Sequence, residues 1–260
     1  MDFMKIVVGI KQVPETDSVK IDPKTNNLVR SGIQGIINPF DKNAIEAALQ
    51  LRDQAGGEVI LLSMGPDSYT TSLRDGMAMG ADRAILVSSR AFGGADTLAT
   101  GYTLAKAIEA IKDVDLVLFG RQSVDADTGQ VGPIVAEFLD FPQVTFAETL
   151  SLESANTLVV ERQLDSAVQD IKLTLPAVVT VRKELNTPRY ETPSNIKESF
   201  DKPITTWTEK DLDLDPSMIG QAGSPTKVTK VYAPTKEVKK TTVLPDDPTQ
   251  AVSELLGSLD

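Results

Sequence analysis

The chain is predicted to be an α/β protein: a doubly wound, mostly parallel sheet with an antiparallel extension and an extended C-terminal arm. Three observations predict it. Over roughly the first half, short apolar runs alternate with helix-length amphipathic segments. After Phe141-Pro142 the helix-length segments vanish and only strand-like stretches follow. From Leu185 the composition turns to Pro, Thr, Lys and Asp with little apolar periodicity. These shifts divide the chain into an α/β domain over 1–184 and a loop with an arm over 185–260, and 260 residues suit one large domain with such an appendage.

Residues 4–10 (MKIVVGI) are β-branched and apolar, the composition of a strand buried on both faces of a parallel sheet. Gly9 near its end would let a ligand approach the backbone. A long excursion follows, with a hairpin turn expected at Asn26-Asn27, up to Asn38-Pro39-Phe40-Asp41. Asp41 is expected to cap a helix whose Ile45, Ala48, Leu49 and Leu51 share a face, and Gly56-Gly57 ends it. Residues 58–64 make a second strand ending at Met64-Gly65, then a helix runs through Leu73 to Met79. Residues 83–87 make a third strand. Asp96 or Thr97 caps a helix over 98–111, and residues 116–120 make a fourth strand. Stretches 144–150, 157–162, 170–175 and 177–182 form the antiparallel extension. A last short helix, with Val252, Leu255, Leu256 and Leu259 at helical spacing, needs something to bury against.

Composition excludes much chemistry. There is no cysteine and no histidine, which removes thiolate nucleophiles, Cys/His metal sites and histidine-based triads. A net charge of −11 with 5% aromatics argues against nucleic acid and anionic membranes as partners. The opening apolar run falls far short of the ~20 residues a spanning helix needs, so no membrane insertion and a cytoplasmic location are expected. An anionic ligand would have to be held by backbone amides.

Such amides are expected after the fourth strand. A helix start is read at Asp127 or Thr128, with Asp127 as N-cap and the amides of Thr128, Gly129, Gln130 and Val131 lacking intrahelical partners. Free amides at the positive end of a helix attract phosphate, and Gly129 removes the side chain that would fend it off. This reads as a phosphate cradle for a nucleotide or dinucleotide; an ordinary capped helix is the plain alternative. Gly9, Met64-Gly65 and the stretch 120–130 all fall at the carboxyl ends of strands, where doubly wound sheets bind ligands. Arg121 is read either as an ion-pair partner of Asp125 or Asp127, or as facing a ligand.

With these pieces in place the chain resembles the β subunit of electron-transfer flavoproteins from end to end. The resemblance is carried by MKIVVGIKQVP, Asn38-Pro39-Phe40-Asp41, Leu62-Ser63-Met64-Gly65-Pro66, Met79-Gly80-Ala81-Asp82-Arg83, DTGQVGP, Leu175-Pro176-Ala177-Val178-Val179-Thr180 and Leu185-Asn186-Thr187-Pro188-Arg189-Tyr190, in this order. It implies a Rossmann-like adenine-nucleotide site and a heterodimer with a larger α subunit that binds FAD. Gly9, Asn38, Pro39, Phe40, Asp41, Met64, Val124, Asp127, Thr128, Gly129, Gln130 and Val131 would surround the nucleotide of the β site, with Thr97 a further neighbour. The compact loop before Thr128-Gly129-Gln130 resembles the electron-bifurcating type, which implies FAD in the β site; AMP is the alternative. NADH would then be the electron donor, with ferredoxin or flavodoxin as one acceptor and a flavin-dependent dehydrogenase, of the acyl-CoA dehydrogenase kind, as the other partner. No catalytic acid or base is required. The resemblance makes residues 186–196 the dehydrogenase-recognition loop; Pro193 within it, and Gln163 outside it, depart from some members, which fits a β subunit dedicated to one dehydrogenase. The arm beyond about Lys202 would wrap the α subunit.

Two rival readings stand beside this one. Asp125-Ala126-Asp127-Thr128 resembles the phosphatase motif DxDxT, although it sits several residues past a fourth strand instead of ending the first. A universal-stress-type ATP-binding module would explain the front half but neither the tail nor Leu185-Asn186-Thr187-Pro188-Arg189-Tyr190.

Overall fold

The computed structural model describes residues 3–15, 35–230 and 243–258. The turn expected at Asn26-Asn27 and a lysine cluster at 236–240 lie outside the described residues. Described residues up to Val228 belong to one compact unit; Thr229, Lys230 and 243–258 belong to a second.

A nine-stranded sheet organises the first unit. Its strands are β1 (Met4–Gly9), β4 (Gly57–Met64), β5 (Arg83–Val87), β6 (Leu116–Gly120), β7 (Gln143–Ser154), β8 (Thr157–Gln163), β9 (Val168–Thr174), β10 (Ala177–Val181) and β11 (Ile204–Trp207). The order is β11-β5-β4-β1-β6-β10-β7-β8-β9, parallel through β7 and antiparallel from β7 to β9. β2 (Gln12–Pro14) and β3 (Gly35–Ile37) pair antiparallel outside it.

Alternation along the strands divides the core between the two faces. Ile6, Val8, Leu61 and Leu118 pack with Ile45, Leu49, Leu73 and Met77 of α1 (Pro39–Ala55) and α2 (Thr70–Met79). Val7, Ile60, Leu62 and Val117 point the other way, toward Tyr102, Ile108 and Val135 of α3 (Thr97–Ile111) and α4 (Val131–Leu139). Because side chains alternate in direction and both faces are covered, the central strands are apolar on both sides over most of their length. The chain leaves β1 toward β4 and β5, then returns to place β6 on the other side of β1. That reversal puts the switch point of the sheet at the carboxyl ends of β1 and β6, the place where doubly wound sheets bind ligands.

Three sequence expectations are corrected. Residues 177–182 were expected in the antiparallel extension; β10 instead lies between β6 and β7 and is parallel to both. All five of its residues are buried, which only a strand covered on both faces can satisfy. Asp41 does not cap α1: Asn38 is the N-cap and Pro39 opens the helix. Proline is suited to that position because its missing N–H would have no helical partner. Finally, the chain after Leu185 is better packed than its composition suggests. α5 (Pro193–Ser199) lies against α2, β11 extends the sheet beside β5, and Leu212 and Ile219 are buried in the core. In the second unit, Asp247 caps α6 (Pro248–Gly257) by accepting from the Gln250 N–H. Val252, Leu255 and Leu256 of α6 are exposed. Among the described residues no helix is long and apolar enough to cross a membrane.

Candidate functional site

Where β1 and β6 end, α1 begins, and the three elements are tied together by Asn38 and Asp41. Both side chains are buried. The Asp41 carboxylate accepts from the Lys11 N–H at 2.8 Å, the Gly120 N–H at 3.2 Å and the Asn38 side-chain amide at 3.0 Å. Gly120 has to be glycine for this approach, since a Cβ there would stand 2.3 Å from the Asp41 oxygen. Asn38 does not use its side chain to cap its own helix. It instead donates to the Gln122 carbonyl at 2.8 Å and accepts from the Val124 N–H at 3.1 Å. Two buried polar side chains thus hold the first turn of the loop that follows β6.

Further anchors fix the rest of this loop. The Lys11 ammonium meets Asp125 at 2.7 Å and the Ser123 hydroxyl at 3.3 Å. Burial raises the Asp125 carboxyl, but hydrogen bonds from Lys11 and Ser123 outweigh it and hold the group below its ordinary range. Asp127 accepts from the Gln122 side chain at 2.9 Å, while its N–H donates to the Ser123 carbonyl at 2.8 Å. Thr97, in the first turn of α3, donates its hydroxyl to Gln130 at 2.8 Å. Asp96 caps that helix as expected, accepting from the Leu98 and Ala99 N–H groups.

The expected helix start is corrected here. α4 begins at Val131, with Gln130 as N-cap, and Asp127 lies in the loop at φ 53°. Thr128, Gly129 and Gln130 therefore precede the helix. The reason is local: the 123–127 stretch closes as a turn on the Ser123 carbonyl, and that turn carries Asp127 into left-handed backbone that no helix continues. The amide character of the stretch remains. Among the described residues no group accepts from the N–H groups of Thr128, Gly129 or Gln130, and these residues are exposed or half-exposed. Gly129 sits at φ 62°, where an L side chain is strained.

The other candidates divide. Phe40 and Pro39 flank Asp41 at the head of α1, and Phe40 packs against Gly120. Val124 is exposed on the loop, and Met64 is half-buried at the end of β4, next to β1. Gly9 has a packing reason: a Cβ there would lie 2.1 Å from the Phe119 ring, so the missing side chain makes room for β6. Arg121 pairs with neither Asp125 nor Asp127. It bonds to the Gln122 side chain and stacks 5.3 Å over the Phe146 ring, which a bulge at φ 63° on β7 presents to it. Lys11 and Ser123 were missed by the sequence reading. Their signal, a lysine at a strand exit and a serine four residues before the expected cap, acquires meaning only once β1 and β6 are neighbours.

A second constellation lies further along α1. Asn43 and Asn186 exchange hydrogen bonds, and Arg189 reaches Glu46 and Asp53. The stretch after β10 is thereby fastened to the helix whose first turn shapes the loop, while Tyr190 is left 94% exposed.

Comparison with known proteins agrees with this arrangement. Residues 25–212 match the electron transfer flavoprotein domain. The chain is 47% identical over 232 residues to the caffeyl-CoA reductase-Etf complex subunit CarD of Acetobacterium woodii, covering 89% of this chain and 88% of that one. It is 47% identical over 236 residues to the electron transfer flavoprotein subunit beta of Clostridium acetobutylicum, covering 91% and 90%. Protein FixA of Azorhizobium caulinodans is 40% identical over 263 residues, covering 98% of this chain and 94% of FixA. A doubly wound sheet with its polar lock at the switch point, and relatives of this length and identity, place the chain in the electron transfer flavoprotein family, among its β subunits.

Proposed function

We propose that the switch point at the ends of β1 and β6 binds the adenine half and diphosphate of FAD, and that the chain serves electron-bifurcating transfer as one half of an αβ pair. The observation that carries the reading is the run of uncommitted amides at the exposed or half-exposed residues Thr128, Gly129 and Gln130, on a loop that Asn38 fastens at Gln122 and Val124 and Thr97 braces at Gln130. Oriented N–H groups next to a helix start compensate phosphate charge without lysines, as an acidic chain requires. Val131 and the N-terminus of α4 add to the same field. When bound, the flavin supplies the redox chemistry, and the chain's own residues bind and orient it. The absence of histidine is consistent with a subunit that need not move protons by general acid–base catalysis.

On this reading NADH is the donor, and ferredoxin or flavodoxin and a flavin-dependent dehydrogenase are the acceptors. The relative named as part of a caffeyl-CoA reductase-Etf complex supports a dedicated dehydrogenase partner. We assign the stretch from Leu185 through α5 to recognition of that dehydrogenase, and the segment from Thr229 onward, with the exposed apolar side of α6, to the α subunit. AMP in place of the β-site FAD is the second reading, since the amides would donate to a monophosphate equally. Counting flavin and AMP released per purified αβ pair separates the two. Two FAD per pair supports bifurcation; one FAD with one AMP overturns it and leaves the nucleotide site standing.

A further inference from the structure

We propose that Asp41 is a positioning residue whose ionised carboxylate, acting through Asn38, sets the shape of the nucleotide loop and so makes nucleotide affinity depend on pH. The inference rests on the reading of this switch point as a nucleotide site.

The geometry supplies the argument. Three N–H groups converge on the Asp41 carboxylate, from the exit of β1 (Lys11), the end of β6 (Gly120) and the head of α1 (Asn38). A carboxylate is acceptor-only and can satisfy all three. A protonated carboxyl would turn one oxygen into a donor facing other donors, and a bond to Lys11, Gly120 or Asn38 would weaken. Asn38 is the link outward. The side-chain amide that reaches Asp41 also donates to the Gln122 carbonyl, and its oxygen takes the Val124 N–H. Loss of the Asp41 contact frees Asn38 to turn, and residues 122–124 lose their hold.

The charged surroundings are simple. From the exit of β1 the Lys11 ammonium favours the anion, and Asp125 of the loop partly neutralises that ammonium. From β6 and from α1 the facing groups are neutral donors, the Gly120 N–H and the Asn38 amide. Burial opposes them all and pushes the carboxyl up to about 7. In a chain without histidine, this gives the site a group that titrates near neutrality.

The test is made on the αβ pair freed of its β-site nucleotide, with FAD and AMP as probes in calorimetric titrations between about pH 6 and about pH 8. Wild-type affinity is expected to fall about tenfold toward the acid side, with a midpoint near neutrality, as loss of one charge-assisted hydrogen bond implies. Asp41→Asn and Asn38→Ala should each give a flat profile at the weak level; the second variant leaves the carboxylate intact and cuts only its link to the loop. Hydrogen exchange at the Val124 amide, corrected for intrinsic rates, should follow the same midpoint in wild type and lose it in both variants. A flat wild-type profile, or a midpoint that survives in Asp41→Asn, overturns the inference. If neither nucleotide binds at any pH, the site reading and the affinity claim both fall, and the Val124 exchange tells whether the loop lock fell with them.

Discussion

Arg189 closes on Glu46 through two hydrogen bonds, Nε to one carboxylate oxygen at 2.8 Å and a terminal nitrogen to the other at 3.1 Å, while its backbone N–H meets the same carboxylate at 3.1 Å. Glu46 is buried on α1 and Arg189 lies on the stretch after β10, so this pair makes a connecting segment part of the helix surface. The same guanidinium spans to Asp53, two turns further along α1.

Truncating Arg189 to alanine leaves the buried Glu46 charge with only the Gln50 side chain and the backbone N–H of residue 189 as donors. The expected loss is about 2 kcal/mol of unfolding free energy, reduced from the cost of a fully buried pair because Arg189 is partly exposed. Arg189→Lys should recover little of it, since a point charge cannot fork between Glu46 and Asp53. Urea midpoints of the three proteins check the stability. If the stretch after β10 recognises a dehydrogenase, as proposed, affinity for that partner should drop with Arg189→Ala while β-site nucleotide content stays unchanged.

Gly129→Val is expected to empty the β site and leave the α-subunit flavin bound. The left-handed φ of 62° strains a β-branched residue by roughly 1–2 kcal/mol, and the added side chain crowds the amides proposed to hold phosphate. Nucleotide content per αβ pair is the measurement. Retention of both nucleotides would show the cradle to lie elsewhere.

Asp41 also makes a stability prediction independent of any ligand. Its pKa rises on folding from the ordinary 3.8 to about 7, so the folded chain holds the proton more tightly than the unfolded one. The stability this contributes is whole below the unfolded value and is lost as pH climbs through the folded one. Asp41→Asn has no such proton. The difference in unfolding free energy between variant and wild type should therefore move in the variant's favour by about 1.4 kcal/mol per pH unit across that window, and level off outside it. Denaturant titrations at a series of pH values would reveal a constant difference if the carboxyl does not titrate there.

Asp96 serves two elements at once. One oxygen caps α3, and the other accepts from the N–H and hydroxyl of Thr226, a residue near the end of the first unit. Asp96→Ala should cost about 1–2 kcal/mol, the range of a lost N-cap. It should also speed proteolysis near Thr226, which a cap acting on α3 alone would not do. Mass spectrometry of limited digests distinguishes the two.

Much of the architecture was legible because its causes are local. The buried run at β1, the glycines that stop α1, the Asp96 cap and the alternation of strand and helix all follow from side-chain periodicity and cap chemistry within a few residues. Errors arose where a local rule had a distant competitor. Asp41 fits the requirements of a cap, but the Lys11 and Gly120 amides claim its carboxylate, and they become its neighbours only in the folded sheet. Asp127 fits too, yet a turn closed on Ser123 takes it first. β10 had the continuous apolar signature of a central strand, and its position after two antiparallel hairpin strands hid it.

By itself, then, the amino-acid sequence determined the α/β class, the exclusion of histidine and cysteine chemistry, and the stretches that form the candidate site, each of which depends on composition or on spacing along the chain; the family followed from the resemblance of its ordered motifs to known β subunits. The tertiary structure alone decided that Asn38 and Asp41 lock the loop together, that Lys11 rather than Arg121 neutralises Asp125, and that β11 completes the sheet. Those relations join residues far apart in sequence, and which distant donor reaches a given carboxylate is set by strand order, a quantity that no local pattern encodes.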